Sequence, residues 1–229
     1  MNLLLSLSAS LLLAIGACAN AQTSTSSKND MNKAEQAGPM TTATPDPSLP
    51  IAYFAGGCFW CTEASFERIE GVQAVVSGYS GGKKSTADYK LVSSGRTNHA
   101  EAIAISYDAE VVSYETLLDV FFVAHDPTTL DRQGPDIGPQ YRSEIFFQTP
   151  EEEVLAKAVI AKLNKAGTFS NPIVTKVSKF DAFYDAEEYH QGYYELHPTN
   201  GYISNVSRPK VLKVEKVFKD ILKQAYKKA

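Results

Sequence analysis

Hydrophobic and polar positions divide the chain into an apolar leader, a polar stretch and a long segment whose periodicity switches repeatedly between strand and helix. In the long segment, IAYFAGG (51–57) reads as a short strand closing on a Gly-Gly turn. From about Cys58 to Glu70, Phe59, Phe66 and Ile69 mark a helical stripe, which Gly71 stops. VQAVVSGY (72–79) reads as a strand, with Gly81-Gly82 opening a loop. AEAIAISYD (100–108) alternates apolar with polar residues and predicts another strand. SYETLLDVFFVAHD (113–126) predicts a helix with Ser113 as N-cap.

A loop rich in Asp, Gly and Pro follows, from Pro127 to Gln140, and then a strand in RSEIFFQT (142–149). Thr149-Pro150-Glu151-Glu152 has the form of a capping box with proline at the first helical position. The helix it starts should end at Gly167. PIVTKVSKF (172–180) reads as a strand, and helical patterns recur near 186–195 and 209–226. Strands and helices mix without strict alternation, which predicts an α+β sandwich of helices on a mixed sheet with a C-terminal helical region.

The two leading segments read differently. Leu3 to Ala17 is apolar apart from three serines and one glycine, too short to span a bilayer comfortably. It reads as the apolar core of a secretory signal, although no Lys or Arg precedes it. Ile15-Gly16-Ala17-Cys18 looks like the lipobox of bacterial lipoproteins, and Ala19-Asn20-Ala21 like an ordinary cleavage site. Residues 1–18 are thus expected to be a signal peptide of lipoprotein type, and the protein to be exported to the periplasm or cell envelope, or otherwise secreted. Residues 19–50 are rich in Ser, Thr, Asn, Gln and Pro and read as a disordered linker. Residues 51–229 are long enough for one domain with a sizeable core.

Composition adds little: 44% hydrophobic, 21% charged, and a net charge of −4 that gives no basic surplus for nucleic acid. From Ser207 onward there are eight Lys or Arg against Glu215 and Asp220, which reads as a solvated helix face. With Cys18 set aside, the remaining cysteines are one pair, Cys58 and Cys61.

That pair carries the candidate chemistry. Cys58 sits where Gly56-Gly57 hands the chain to a helix. Free N–H groups and the positive dipole end there favour an anion, so its pKa is expected to be lowered. Cys61 lies one turn on, on the same face, and a Cys58–Cys61 disulfide is sterically accessible if the helix start relaxes. A zinc site lacks a second ligand pair, and His99, His125, His190 and His197 show no ligand spacing. A thioredoxin-like disulfide oxidoreductase stays open, although the tryptophan here lies inside the motif. Two buried, inert thiols also stay open, as does a non-enzymatic lipoprotein that binds apolar ligands through Phe59 and Trp60.

GGCFWCTEASFERIEGV (56–72) followed by SGYSGG (77–82) resembles the peptide methionine sulfoxide reductases of type A. The resemblance continues through NHAEAIAISYD, GPQYRSEIFF and AEEYHQGYY, covering residues 51–218. It implies a two-layer sandwich around a ferredoxin-like plait and reduction of methionine S-sulfoxide, free or in proteins. It also implies no bound cofactor and a thioredoxin-like dithiol as electron source. Cys58 would attack the sulfoxide sulfur and become a sulfenic acid. Phe59 and Trp60 would receive the methyl group, Glu101 would be the catalytic acid, Tyr89 and Tyr141 would bind the oxygen, and Asp136 would help arrange the site. Taken alone, Glu101 would read as a surface carboxylate. Many family members keep a second cysteine in a segment like NGYISNVSRPK (200–210). Here Ile203 takes that place, which leaves Cys61 as the resolving thiol.

Overall fold

The computed structural model describes residues 48–227. The expected signal peptide, Cys18 and nearly all of the expected linker lie outside the described residues. The first strand, β1 (Ile51–Gly56), ends on Gly57, whose φ is +89°. A Cβ on Gly57 would lie 2.4 Å from Gln133 Cγ, so only glycine fits this turn. The turn delivers the chain to α1 (Phe59–Glu67), with Cys58 at the N-cap rather than inside the helix. α1 ends earlier than its apolar stripe suggested, at the Arg68 C-cap. Eight of its nine residues are buried, including Thr62, Glu63, Ser65 and Glu67, because other elements cover the side away from the sheet.

β2 (Val72–Ser80) and β3 (Ala100–Tyr107) follow as expected. Between them lie a 3-10 turn (Lys84–Thr86) and a short helix, α2 (Tyr89–Ser93), capped by Asp88. α3 (Tyr114–Ala124) starts at Ser113, whose hydroxyl accepts from the Thr116 N–H. The loop after α3 holds a small hairpin, β4 (Arg132–Gln133) and β5 (Asp136–Ile137), and a 3-10 turn (Pro139–Tyr141). β6 (Ser143–Phe147) leads to α4 (Pro150–Lys165), where the Thr149 hydroxyl accepts from the Glu152 N–H as its motif requires.

Beyond α4 the strand expected over 172–180 shrinks to β7 (Lys176–Lys179), and an unexpected β8 (Phe183–Asp185) forms. The helical pattern near 186–195 resolves into a 3-10 turn (Glu188–His190) and α5 (Tyr193–Leu196), broken by left-handed Gly192. A π-helical turn (Ile203–Ser207) runs into α6 (Arg208–Val217). Further 3-10 turns close the described chain, and Leu222 bridges back to Ile69.

Six strands form one mixed sheet in the order β7-β6-β1-β3-β2-β8, all neighbours antiparallel except β6 with β7. The main core joins α1, α3 and α4 to one face through Phe54, Ile103, Ile105, Phe121 and Ile145. A smaller cluster of Ala55, Ala100, Ala102 and Phe146 occupies the other face, beside Tyr53, Phe180 and Phe183. β3 is therefore buried on both faces, and its alternation does not produce a solvent side. Period-two geometry puts Glu101 on the face of Ile103 and Ile105, beneath the helices. The expectation of a surface carboxylate fails for that reason: Glu101 is 2% exposed.

Candidate active site

Cys58 is delivered by the Gly57 turn and held at the entry of α1, with its carbonyl accepting from the Cys61 N–H at 3.1 Å. Glu101 approaches from β3, and its Oε2 accepts from the Phe59 N–H at 3.1 Å. A cavity of about 210 Å³ opens beside this junction. Its walls are Cys58, Phe59, Trp60, Tyr89, Glu101, Asp136, Tyr141 and Tyr202. The sequence-expected residues Phe59, Trp60, Tyr89, Glu101, Asp136 and Tyr141 thus converge on Cys58 from α1, α2, β3, the β5 hairpin and the 3-10 turn after it.

Each wall has its own support. Trp60 lies flat on Tyr193, with ring centroids 3.9 Å apart and 9° between planes. Its indole N–H donates to His190 Nδ1 at 3.2 Å. That bond assigns the His190 proton to Nε2. Burial lowers the His190 pKa, so the ring is neutral. The Tyr89 N–H donates to Glu187 Oε1 at 2.9 Å, which ties α2 to the segment before α5. Tyr202 donates its hydroxyl to Asp136 Oδ2 at 2.5 Å and stands edge-on to Trp60. Among the described residues no group of three or more His, Cys, Asp or Glu is placed to hold a metal ion.

A family model for peptide methionine sulfoxide reductase matches residues 50–222. The chain belongs to the peptide methionine sulfoxide reductase family. It is 51% identical over 177 residues to peptide methionine sulfoxide reductase MsrA 1 of Rhodopirellula baltica, covering 77% of this chain and 91% of that one. It is 48% identical over 179 residues to the MsrA of Deinococcus radiodurans, covering 78% and 87%. Among solved structures it resembles reduced Mxr1 from Saccharomyces cerevisiae at a TM-score of 0.63 and 34% identity, covering 69% of this chain and 92% of that one. The methionine sulfoxide reductase A of Corynebacterium diphtheriae gives 0.60 and 31%, covering 68% and 78%. Family membership decides between the reductase and the thioredoxin-like reading that the Cys-Phe-Trp-Cys motif left open.

Within this reductase the thiol electrostatics differ from the sequence expectation. Burial, the thiol–thiol contact with Cys61 and the nearby Glu101 push the Cys58 pKa well above its ordinary value. The helix terminus stays a favourable feature, but desolvation is the larger effect. Cys61 moves the other way, down to about 7, through its contact with Cys58, the Lys210 charge and Ser207. The two thiols act on each other and titrate as a pair. Cys58 sits at the N-cap of α1 with ψ 122°, just outside the helix proper. Both thiols are free and buried.

Glu101 is pushed up to about 8 by burial, against the opposing Phe59 N–H bond. It therefore carries a proton at neutral pH. Tyr89 is raised to about 12 and Tyr141 is also raised, chiefly by burial, so both remain hydroxyl donors. Sequence reasoning missed Tyr202, His190, Tyr193 and Ser207. The first and last lie in the 200–210 segment, and the other two in AEEYHQGYY, both singled out for other reasons.

Proposed function

We propose that Cys58 removes the oxygen of methionine S-sulfoxide inside the Trp60 cavity and that Cys61 closes the cycle. The enzyme is a peptide-methionine (S)-S-oxide reductase. The observation that carries the residue-level reading is the single cavity that collects a thiol, a protonated carboxyl and two tyrosine hydroxyls against two aromatic walls.

The substrate methyl group rests on Phe59 and Trp60, where apolar surface replaces water. Tyr89 and Tyr141 donate to the sulfoxide oxygen and stabilise its growing negative charge. Cys58 loses its proton as its sulfur attacks the sulfoxide sulfur. Glu101 supplies a proton to the oxygen as general acid. The protonated oxygen passes to the Cys58 sulfur as its bond to the substrate sulfur and the transient sulfur–sulfur bond break, so the substrate sulfur gains two electrons and leaves as methionine and Cys58 is oxidised to a sulfenic acid. Asp136 arranges the pocket through Tyr202, fixing the ring that closes it beside Trp60.

Cys61 then attacks the Cys58 sulfur, and water leaves as the disulfide forms. An external thioredoxin-like dithiol reduces the disulfide and restores both thiols. The β1-α1-β2-β3-α3-β6 order, with β6-β1-β3-β2 at the sheet centre, supports a ferredoxin-like plait as the frame. Export, with lipidation of Cys18 as the anchor, is proposed from the leader sequence, and mass spectrometry of the mature N-terminus tests it. An unmodified chain beginning at Gln22 refutes lipidation.

The test of the chemistry is Cys58→Ser. It is expected to abolish methionine release in a single turnover, and appreciable release sinks the mechanism.

A further inference from the structure

Cys61 hangs from the first turn of α1 and touches the C-terminal region rather than the substrate cavity. Its Sγ lies 3.2 Å from Ser207 Oγ, at the end of the π-helical turn. Ser207 is fully buried. One turn on, in α6, Lys210 turns its ammonium inward. Its Nζ is buried and has no hydrogen-bond partner. This lysine departs from the solvated face expected for the basic C-terminal helix.

A buried ammonium is strongly disfavoured unless an anion shares its surroundings. The Lys210 charge bears on two neighbours, Cys61 and His125. His125 cannot answer it, because burial pushes that ring down to about 4 and leaves it neutral. Cys61 can answer it by becoming a thiolate. Ser207 fits the same role, since its hydroxyl accepts from a thiol and can rotate to donate to a thiolate.

We propose that Ser207 and Lys210 are positioning residues that hold Cys61 as the thiolate that resolves the Cys58 sulfenic acid. The proposal rests on the reading of Cys61 as the resolving thiol. The 200–210 segment, which offers no cysteine, then contributes a hydroxyl and a cation to the same step. In that step the Cys61 thiolate bonds to the Cys58 sulfur and the Cys58 S–O bond breaks. The oxygen takes up one proton and leaves as water. The Cys58 sulfur is reduced from the sulfenic to the disulfide level, and the Cys61 sulfur is oxidised to it.

Besides Ser207, five charged or titratable groups bear on Cys61. Lys210 favours the thiolate, whereas Asp136 opposes it, and Cys58, Glu101 and Tyr202 complete the surroundings. Removing the Lys210 charge should therefore shift the pH at which resolution becomes fast upward.

The full-length protein is oxidised with one equivalent of methionine S-sulfoxide, and Cys58–Cys61 disulfide formation is followed by rapid alkylation from pH 6 to 9. Methionine release in the same samples reports the amount of folded, reacting enzyme. Lys210→Met should lower the ratio of disulfide formation to methionine release about fivefold at pH 7, because a rise of about one unit from about 7 cuts the thiolate fraction from about a half to about a tenth. Its rate-against-pH midpoint should rise by about one unit, and Lys210→Arg should restore both. Ser207→Ala should lower the ratio with a smaller shift in midpoint. An unchanged ratio and midpoint in Lys210→Met overturns the proposal. Undiminished thioredoxin-dependent cycling by Cys61→Ser is a different result, and it overturns the underlying reading of Cys61.

Discussion

Glu101 on β3 accepts the N–H of Phe59, the residue that follows Cys58, at 3.1 Å. One hydrogen bond thereby fixes the central strand to the start of α1 at the point where the thiol is presented. The same bond places a buried carboxyl against the helix terminus, and burial keeps that carboxyl protonated to about pH 8. The proposed acid is thus tied by its own carboxyl to the backbone beside the proposed nucleophile.

Glu101→Gln separates the structural from the chemical part of this relationship. The glutamine oxygen still accepts from Phe59, but no acidic proton remains. Methionine release in a single turnover is expected to fall by about 10²- to 10⁴-fold. Stability at pH 7 is expected to rise by about 2–3 kcal/mol, because a carboxyl raised from 4.5 to about 8 disfavours the fold at that pH. Stopped reaction time courses and urea unfolding check the two outcomes. A release rate equal to the parent's excludes Glu101 as the acid.

A second buried carboxyl makes the pH dependence general. Glu63 is also raised to about 8, by burial and the nearby Glu67. Between about pH 4.5 and 8 the folded state holds protons on Glu63 and Glu101 that the unfolded chain has lost. The folded state binds more protons there, so stability declines as pH rises through this window and levels off above it. The first chemical step should also slow above pH 8 as Glu101 loses its proton. Urea midpoints measured at pH 5, 6.5 and 8 should fall in that order, and a flat series contradicts the assignment.

Gly57→Ala tests the turn that delivers Cys58. The added Cβ meets Gln133 at 2.4 Å, and φ of +89° strains any L residue. A loss of about 1–3 kcal/mol in stability is expected, with reduced activity in the folded fraction. Gly56→Ala is the comparison, since its Cβ would meet Thr62 and His125 at 3.1 and 3.3 Å without positive φ. Calorimetry should rank Gly57→Ala as the more damaging, and the reverse order refutes the turn argument.

Tyr193→Ala removes the ring stacked on the outer face of Trp60. A stacked pair contributes about 0.5–1.5 kcal/mol beyond its buried area, so KM should rise by up to about tenfold with a smaller change in kcat. A loss confined to kcat places Tyr193 outside methyl recognition.

The sequence made some parts legible and hid others for physical reasons. β1, β2, β3, β6, α3 and α4 are long enough for periodicity, and Ser113 and Thr149 announce their helices by their caps. α2, the β4–β5 hairpin and β8 are only two to five residues long, too short for a periodic signal. Glu101 could not be read as buried, because alternation in β3 looks the same whether one face or both are covered. The raised Cys58 pKa was hidden similarly. The helix start is visible in Gly56-Gly57, but the burial that outweighs it depends on Glu101 and Cys61 packing around the thiol. Tyr202, His190 and Ser207 reach the site from more than a hundred residues away along the chain, a relation that no local spacing encodes.

The most direct measurement of the central claim treats the reduced enzyme with one equivalent of each separated sulfoxide epimer and then maps its thiols by mass spectrometry. The S epimer should yield one methionine per chain and a Cys58–Cys61 disulfide, with no comparable yield from the R epimer. A stable Cys58 sulfenic acid beside a free Cys61, or methionine release without loss of the Cys58 thiol, would contradict it.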